Sequence, residues 1–372
     1  MIHRRPGDER FFEIYQACVD KNPNNNMHFF GHGANNIDNI DRDLLSADKP
    51  NIIFSLDLSH HDTRQRIKKE VSEKQAELWW IGAEYNVFCD EAIKESWWGG
   101  EFFLQANEYI NLPEIAKEPS NKSPHWISLT LGPRHSRVYS STCLMHYADL
   151  DKGEMRIKTH MAKPYNSLND LVAKGCKWNT PPNTEMETTY AKILTRPWWG
   201  TQRFLWQTYN QLGHCNNATN FQRYLRHLYR TTMVEIVNET AIADEETGNR
   251  APVFLTEKIT NSIHALNIPI VCGAKHTVKF LESMGFDCFR GHINHEYDDE
   301  EDSTIRIEKA IKDNMKILND YNFAKKVWET NYNALRKNKD LLKSLLHDFA
   351  NGKNIPMLDD INEFYLAKST QI

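Results

Sequence analysis

The chain has 372 residues, 40% of them hydrophobic, 26% charged and 11% aromatic, which is ample for two cores of ordinary size and excludes an intrinsically disordered polypeptide. The net charge of -5 gives the molecule as a whole no attraction for nucleic acid, so any polyanion contact has to come from a local patch. No run of ~18 apolar residues occurs and Met1 to Arg10 is polar, so neither a membrane span nor a signal stretch is expected; seven scattered cysteines without a CxxC pair suit reduced thiols in the cytoplasm.

In chain order, the first elements predicted are a short amphipathic helix carrying Phe11, Phe12, Ile14, Tyr15 and Val19, then a polar loop, Asn22 to Asn26. Met27 to Gly31 and Asn51 to Asp57 read as buried strands, Thr63 to Trp80 as a charged helix and Val87 to Cys89 as a further strand. A second unit opens near Lys122 with a strand at Trp126 to Leu131, a turn at Gly132 to Arg134 and a helix at His135 to Asp149. Strands follow at Met155 to Thr159, Met233 to Val237, Ile268 to Cys272 and Phe286 to Phe289, with helices at Thr256 to Leu266 and Thr277 to Met284 between them; Thr184 to Gln211 reads as helical or irregular. From Thr304 onward the chain is helical, with Ile305, Ile307, Ala310, Ile311, Met315 and Leu318 on one stripe. This alternation predicts an α/β protein with one parallel sheet in each half: residues 1–122, residues 123–320 and a helical extension at 321–372.

The most informative chemistry lies between Phe254 and Phe289. Thr256 caps a helix whose first turn holds Glu257 and Lys258, where backbone N–H groups and the helix dipole favour an anion. A first-turn lysine opposes the dipole, and a bound phosphate would account for it; a capping acid beside a solvated lysine is the plainer reading of the same residues. Gly273 and Gly285 stand where a doubly wound sheet presents loops at strand ends.

These residues, with Pro269, Leu281, Phe286, Phe289, Glu296, Tyr297, Asp298 and Arg306, resemble the donor-binding half of fucosyltransferase-like glycosyltransferases, and more closely glycosyltransferase-like proteins of tailed phages. GPRHSR at Gly132 to Arg137, after ISLTL, fits an Arg-rich turn of the same group. The likeness spans roughly Trp126 to Leu318, with Asn294-His295 where an Asp and Cys288 where a Thr is expected. It implies the GT-B fold, two Rossmann-like domains facing a cleft with the nucleotide-sugar in the second. It implies a metal-independent transferase with no cofactor beyond a UDP- or GDP-linked sugar as co-substrate. Lys258, Arg134 and Arg137 would then stabilise the leaving diphosphate, with Glu257 on sugar hydroxyls, Thr256 and Gly273 beside them and Glu239 lining the nucleoside pocket. Arg134 and Arg137 equally suit salt bridges within a loop.

For the acceptor hydroxyl, Asp57 at a strand end and the neighbouring His60 are candidate bases, as is Glu101 after Trp97-Trp98-Gly99-Gly100. A loop acid, a surface histidine pair and core tryptophans are the alternatives, and His60-His61-Asp62 lacks the spaced third ligand that a metal site needs. By analogy with the phage relatives, the acceptor is a hydroxymethylated base in duplex DNA. Arg223, Arg226 and Arg230 along one helical face, with Arg196 and Arg203 in aromatic loops, would grip the nucleic acid around a flipped base, although a solvated helix side has the same pattern. A surface glycan or protein acceptor and a non-catalytic nucleotide-sugar-binding module remain the competing functions.

Overall fold

The computed structural model describes residues 9–21, 24–30, 45–55, 61–85, 87–88, 92–97, 102, 113–130, 134–158, 162–195, 198–199, 226–242 and 251–350. The chain is α/β and divides into two units. One comprises Met1–Leu104, Pro252–Leu255 and Ser344–Ile372; the other comprises Gln105–Ala251 and Thr256–Lys343. The division falls at residue 104 rather than near Lys122. The predicted C-terminal extension is shared between the units instead of standing apart. Among the described residues no helix is long and apolar enough to cross a membrane.

In the first unit, helix α1 (Glu9–Lys21) precedes a four-stranded parallel sheet of β1 (Asn26–Phe30), β2 (Asn51–Ser55), β3 (Leu78–Gly82) and β4 (Ile93–Trp97), paired in that spatial order. Every residue of β2 is buried, as its apolar run requires. Helix α2 (His61–Lys74) ends six residues before the predicted Trp80, because Gln75 turns into the left-handed region at φ 50°. Ile67 and Val71 set a helical stripe on which Leu78 also falls, and that period conceals a strand rich in tryptophan. Val87 and Phe88 form a bend, not a strand: the Glu95 carboxylate accepts both of their N–H groups, at 2.5 and 2.7 Å.

The second unit holds parallel strands β5 (Trp126–Thr130), β6 (Gly153–Lys158), β7 (Val234–Asn238) and β8 (Ile268–Cys272) in the spatial order β8-β7-β5-β6, with Trp198–Trp199 antiparallel at the β6 edge. Helices α3 (His135–Tyr147), α4 (Glu187–Leu194), α5 (Arg226–Thr231), α6 (Glu257–His264) and α7 (Thr277–Ser283) connect or follow these strands. Helices α8 (Ser303–Lys312), α9 (Met315–Asn319), α10 (Tyr321–Thr330) and α11 (Tyr332–Ala350) follow as the last described elements. From β5 the chain moves outward to β6, then returns to the other side of β5 to lay down β7 and β8. The strand order therefore reverses between β5 and β7.

β8 is an edge strand, which accounts for Pro269: its missing N–H lies on the open side. Val271, two residues on, points its N–H the same way and donates to the Tyr297 hydroxyl at 3.2 Å. The predicted strand at Phe286 to Phe289 is absent. Gly285, at φ 95°, closes α7 with Gly285 N bonded to Glu282 O and Phe286 N to Leu281 O, and Asp287 N is held by Asn338 Oδ1 at 2.8 Å.

Near the amino-terminal edge of this sheet lies a buried polar layer. Lys117 Nζ donates to Tyr229 O at 2.8 Å, to Thr232 O at 2.7 Å and to Asn267 Oδ1, and the Tyr229 hydroxyl donates to Glu235 Oε1 at 2.8 Å. Burial pushes the Glu235 carboxyl up to about 8 despite that bond and the nearby Lys117. Burial, with Lys339, Lys343 and Arg226 adding to it, pushes His264 down to about 3.

Candidate functional site

The reversal between β5 and β7 marks where a doubly wound sheet opens a crevice beyond its strand carboxyl ends. The residues after β5 lead into α3, whose N-cap is Arg134 in extended conformation (φ -132°, ψ 138°). Among the described residues no side chain caps this 13-residue helix, and its first turn holds no acid but contains Arg137. Two arginines at a helix start run against the dipole, an arrangement that a bound anion would compensate.

The residues after β7 are Glu239 and Thr240, and Glu239 N bonds to Cys272 O at the end of β8, at 2.9 Å. Glu239 is 1% exposed and both its oxygens serve Thr256: Oε2 accepts the Thr256 hydroxyl at 2.6 Å and Oε1 accepts Thr256 N at 3.3 Å. Thr256 is the N-cap of α6 as predicted, its hydroxyl accepting Lys258 N at 3.5 Å; Glu257 opens the helix. Lys258 Nζ donates to Thr256 Oγ1 at 2.8 Å and to Thr240 Oγ1 at 3.2 Å. From the other side Arg137 Nη2, on a residue only 6% exposed, donates to the same Thr240 oxygen at 3.4 Å. Cations from the first turns of two separate helices thus converge on one hydroxyl at the place where the strand order reverses.

Comparison of the chain with protein-family models, curated proteins and solved structures finds no match. The chemistry of the site therefore stands on its own geometry, a pair of side-chain cations meeting at the Thr240 hydroxyl beyond β7, beside a buried carboxylate that braces Thr256.

The structure brings together Arg137, Glu239, Thr256 and Lys258 and places Arg134 at the start of the same helix as Arg137. It also adds Thr240, which sequence reasoning passed over because its relevance depends on strand order. Gly273 has a different surrounding: a Cβ there would lie 2.7 Å from Thr277 Oγ1, and its carbonyl accepts Arg306 Nε at 3.1 Å. Arg306 is buried, and burial lowers it to about 10, so it stays cationic at neutral pH. It also donates to the carbonyls of Ile242 at 2.6 Å, Glu300 at 2.7 Å and Glu301 at 3.1 Å and to Ser303 Oγ at 2.8 Å. One guanidinium thereby fixes the segments that follow β7 and β8.

The acidic run Glu296 to Asp302 is used within the fold. Asp298 accepts Val278 N and Lys279 N, both at 3.0 Å, and Asp302 caps α8. Glu300 pairs with Lys309 at 2.8 Å, Glu301 with Lys275, and Asp299 with Lys279.

Of the arginines expected to meet nucleic acid, Arg226 donates to Glu114 O at 2.9 Å and Arg230 pairs with Glu118, whose N–H bonds back to Arg230 O at 2.8 Å. Both are turned to the segment leading into β5, in contacts that lie at the exposed surface. Arg196, Arg203 and Arg223, and the candidate bases Asp57, His60 and Glu101, lie outside the described residues.

Proposed function

We propose that the chain is a nucleotide-sugar-dependent glycosyltransferase whose donor diphosphate is held in the second unit by Arg134, Arg137 and Lys258. The observation that carries the reading is the convergence of Arg137 and Lys258 on Thr240 at the strand reversal. In glycosyl transfer the bond between the anomeric carbon and a diphosphate oxygen breaks as an acceptor hydroxyl attacks. Negative charge grows on the leaving diphosphate, and fixed cations lower the barrier by stabilising it there. Two side-chain cations on separate helices suit a group carrying two phosphates better than a single carboxylate ligand. The acceptor's proton passes to a carboxylate or imidazole, with Asp57, His60 and Glu101 as the candidates the sequence offers, and the acceptor proposed is a hydroxymethylated base in DNA.

The test is calorimetric titration of the full chain with UDP and GDP, followed by release of nucleoside diphosphate from UDP- and GDP-sugars with hydroxymethylcytosine-containing DNA, plain DNA or free sugars. Binding of one nucleotide is expected, reduced at least about tenfold in Lys258→Ala while cooperative melting is kept. Absence of binding by the folded wild-type chain overturns the donor assignment. Turnover with simple sugars but not with modified DNA overturns the acceptor alone.

A further inference from the structure

Thr240 differs from its neighbour Thr256 in how its hydroxyl is used. The Thr256 hydroxyl is saturated: its hydrogen goes to Glu239 Oε2, and its oxygen accepts from Lys258 Nζ and Lys258 N. The Thr240 oxygen also accepts twice, from Lys258 Nζ and Arg137 Nη2, which occupies both lone pairs. Its hydrogen must therefore point away from both cations, and among the described residues no group accepts it. Thr240 is only half-buried, so that hydrogen is within reach of a bound molecule.

We infer that the Thr240 hydroxyl is a ligand contact and specificity determinant of this site, donating to a phosphate oxygen of a nucleoside diphosphate lying between Arg137 and Lys258. The assignment rests on the donor reading above. A hydroxyl that accepts from two cationic groups is polarised and becomes a stronger donor, and the surrounding positive potential selects an anionic acceptor. Lysine acts as a compact charge with little directional preference, whereas this O–H is fixed in direction by its two partners, so it selects for oxygen placement as well as for charge.

The experiment titrates UDP and inorganic pyrophosphate into the wild-type chain, Thr240→Val and Thr240→Ser. Valine keeps the shape and removes the hydroxyl both as a donor and as the acceptor shared by the two cations, while Lys258 keeps its bond to Thr256; serine restores the hydroxyl in both roles. Affinity is expected to fall about tenfold in Thr240→Val and to stay within about twofold of wild type in Thr240→Ser. Should the valine variant fail to fold, Thr240→Ala removes the same hydroxyl with less bulk. Equal or tighter binding by the folded valine or alanine variant overturns the role of Thr240 and leaves the diphosphate site standing. Failure of wild type to bind either probe overturns both.

Discussion

The Thr256 hydroxyl donates to Glu239 Oε2 at 2.6 Å, so a carboxylate of the chain itself already rests against the first turn of α6. Thr256 N is committed to the same carboxylate and Lys258 N to the Thr256 oxygen. An incoming phosphate at this position meets side-chain cations first, with the backbone amides of α6 partly occupied, and Glu239 is a brace for Thr256 as well as a candidate wall of a nucleoside pocket.

Removing that brace tests the distinction. Glu239→Ala leaves a buried hydroxyl and amide without their acceptor and is expected to cost about 2–4 kcal/mol in chemical denaturation. If Glu239 acts only through Thr256, the ratio of UDP to GDP affinity stays constant in Glu239→Gln. A changed ratio assigns the side chain to the nucleobase or ribose instead.

Arg306 gives a second expectation. Arg306→Leu strips the donor from the carbonyls of Ile242, Gly273, Glu300 and Glu301, and a loss of about 3–5 kcal/mol in urea denaturation is expected. Because two of these carbonyls follow β7 and β8, nucleotide affinity is expected to drop in the folded fraction too. Unchanged stability would mean that water replaces the guanidinium.

The buried polar layer makes stability depend on pH in opposite senses. Glu235 is raised from 4.5 to about 8, so the folded chain holds a proton that the unfolded chain releases, and this contribution falls as pH rises from about 4.5 to 8. His264 is lowered from 6.5 to about 3, so its contribution is complete above 6.5 and is lost as pH falls toward 3. The two oppose each other between about 4.5 and 6.5; above that the His264 slope has ended and the Glu235 slope continues, with Lys117, which burial holds well below its ordinary range, acting in the opposite sense to Glu235. Glu235→Gln is expected to gain on wild type in melting temperature between pH 6.5 and 8; parallel curves over that range would place the Glu235 proton elsewhere.

Gly285 closes α7 at φ 95°, while a Cβ there would touch only Leu341 Cδ2, at 3.4 Å. Gly285→Ala therefore measures backbone strain without a clash, and a loss of about 1 kcal/mol is expected by chemical denaturation. A neutral result would show that the turn relaxes.

Strands with an uninterrupted apolar run were legible: Ile268–Cys272 has the predicted bounds, and its Pro269 could be reconciled with a strand because it lies on an edge. The α6 start was legible from Thr256, whose side chain acts locally. Leu78–Gly82 was not, since Leu78 continues the helical period of Ile67 and Val71, and only the reversal at Gln75 breaks it. Phe286 to Phe289 has strand composition but is taken up by the Gly285 turn and by Asn338, which is distant in sequence. For the site, Lys258 could be singled out by its position at a helix start, and Arg137 by the resemblance of GPRHSR to an Arg-rich turn. Their meeting at Thr240 depends on β5 and β7 being neighbours, and no local pattern encodes that pairing.

The division of the chain also bears on its biosynthesis. Residues 252–255 and the end of α11 belong to the unit that the first 104 residues begin, so that unit receives its last pieces only after the other has been translated. The four-stranded parallel sheet of that unit is complete by Trp97, but the antiparallel pairing of Val253 and Phe254 with Tyr85 and Glu84 has to wait, and during that interval the exposed surface would depend most on chaperones.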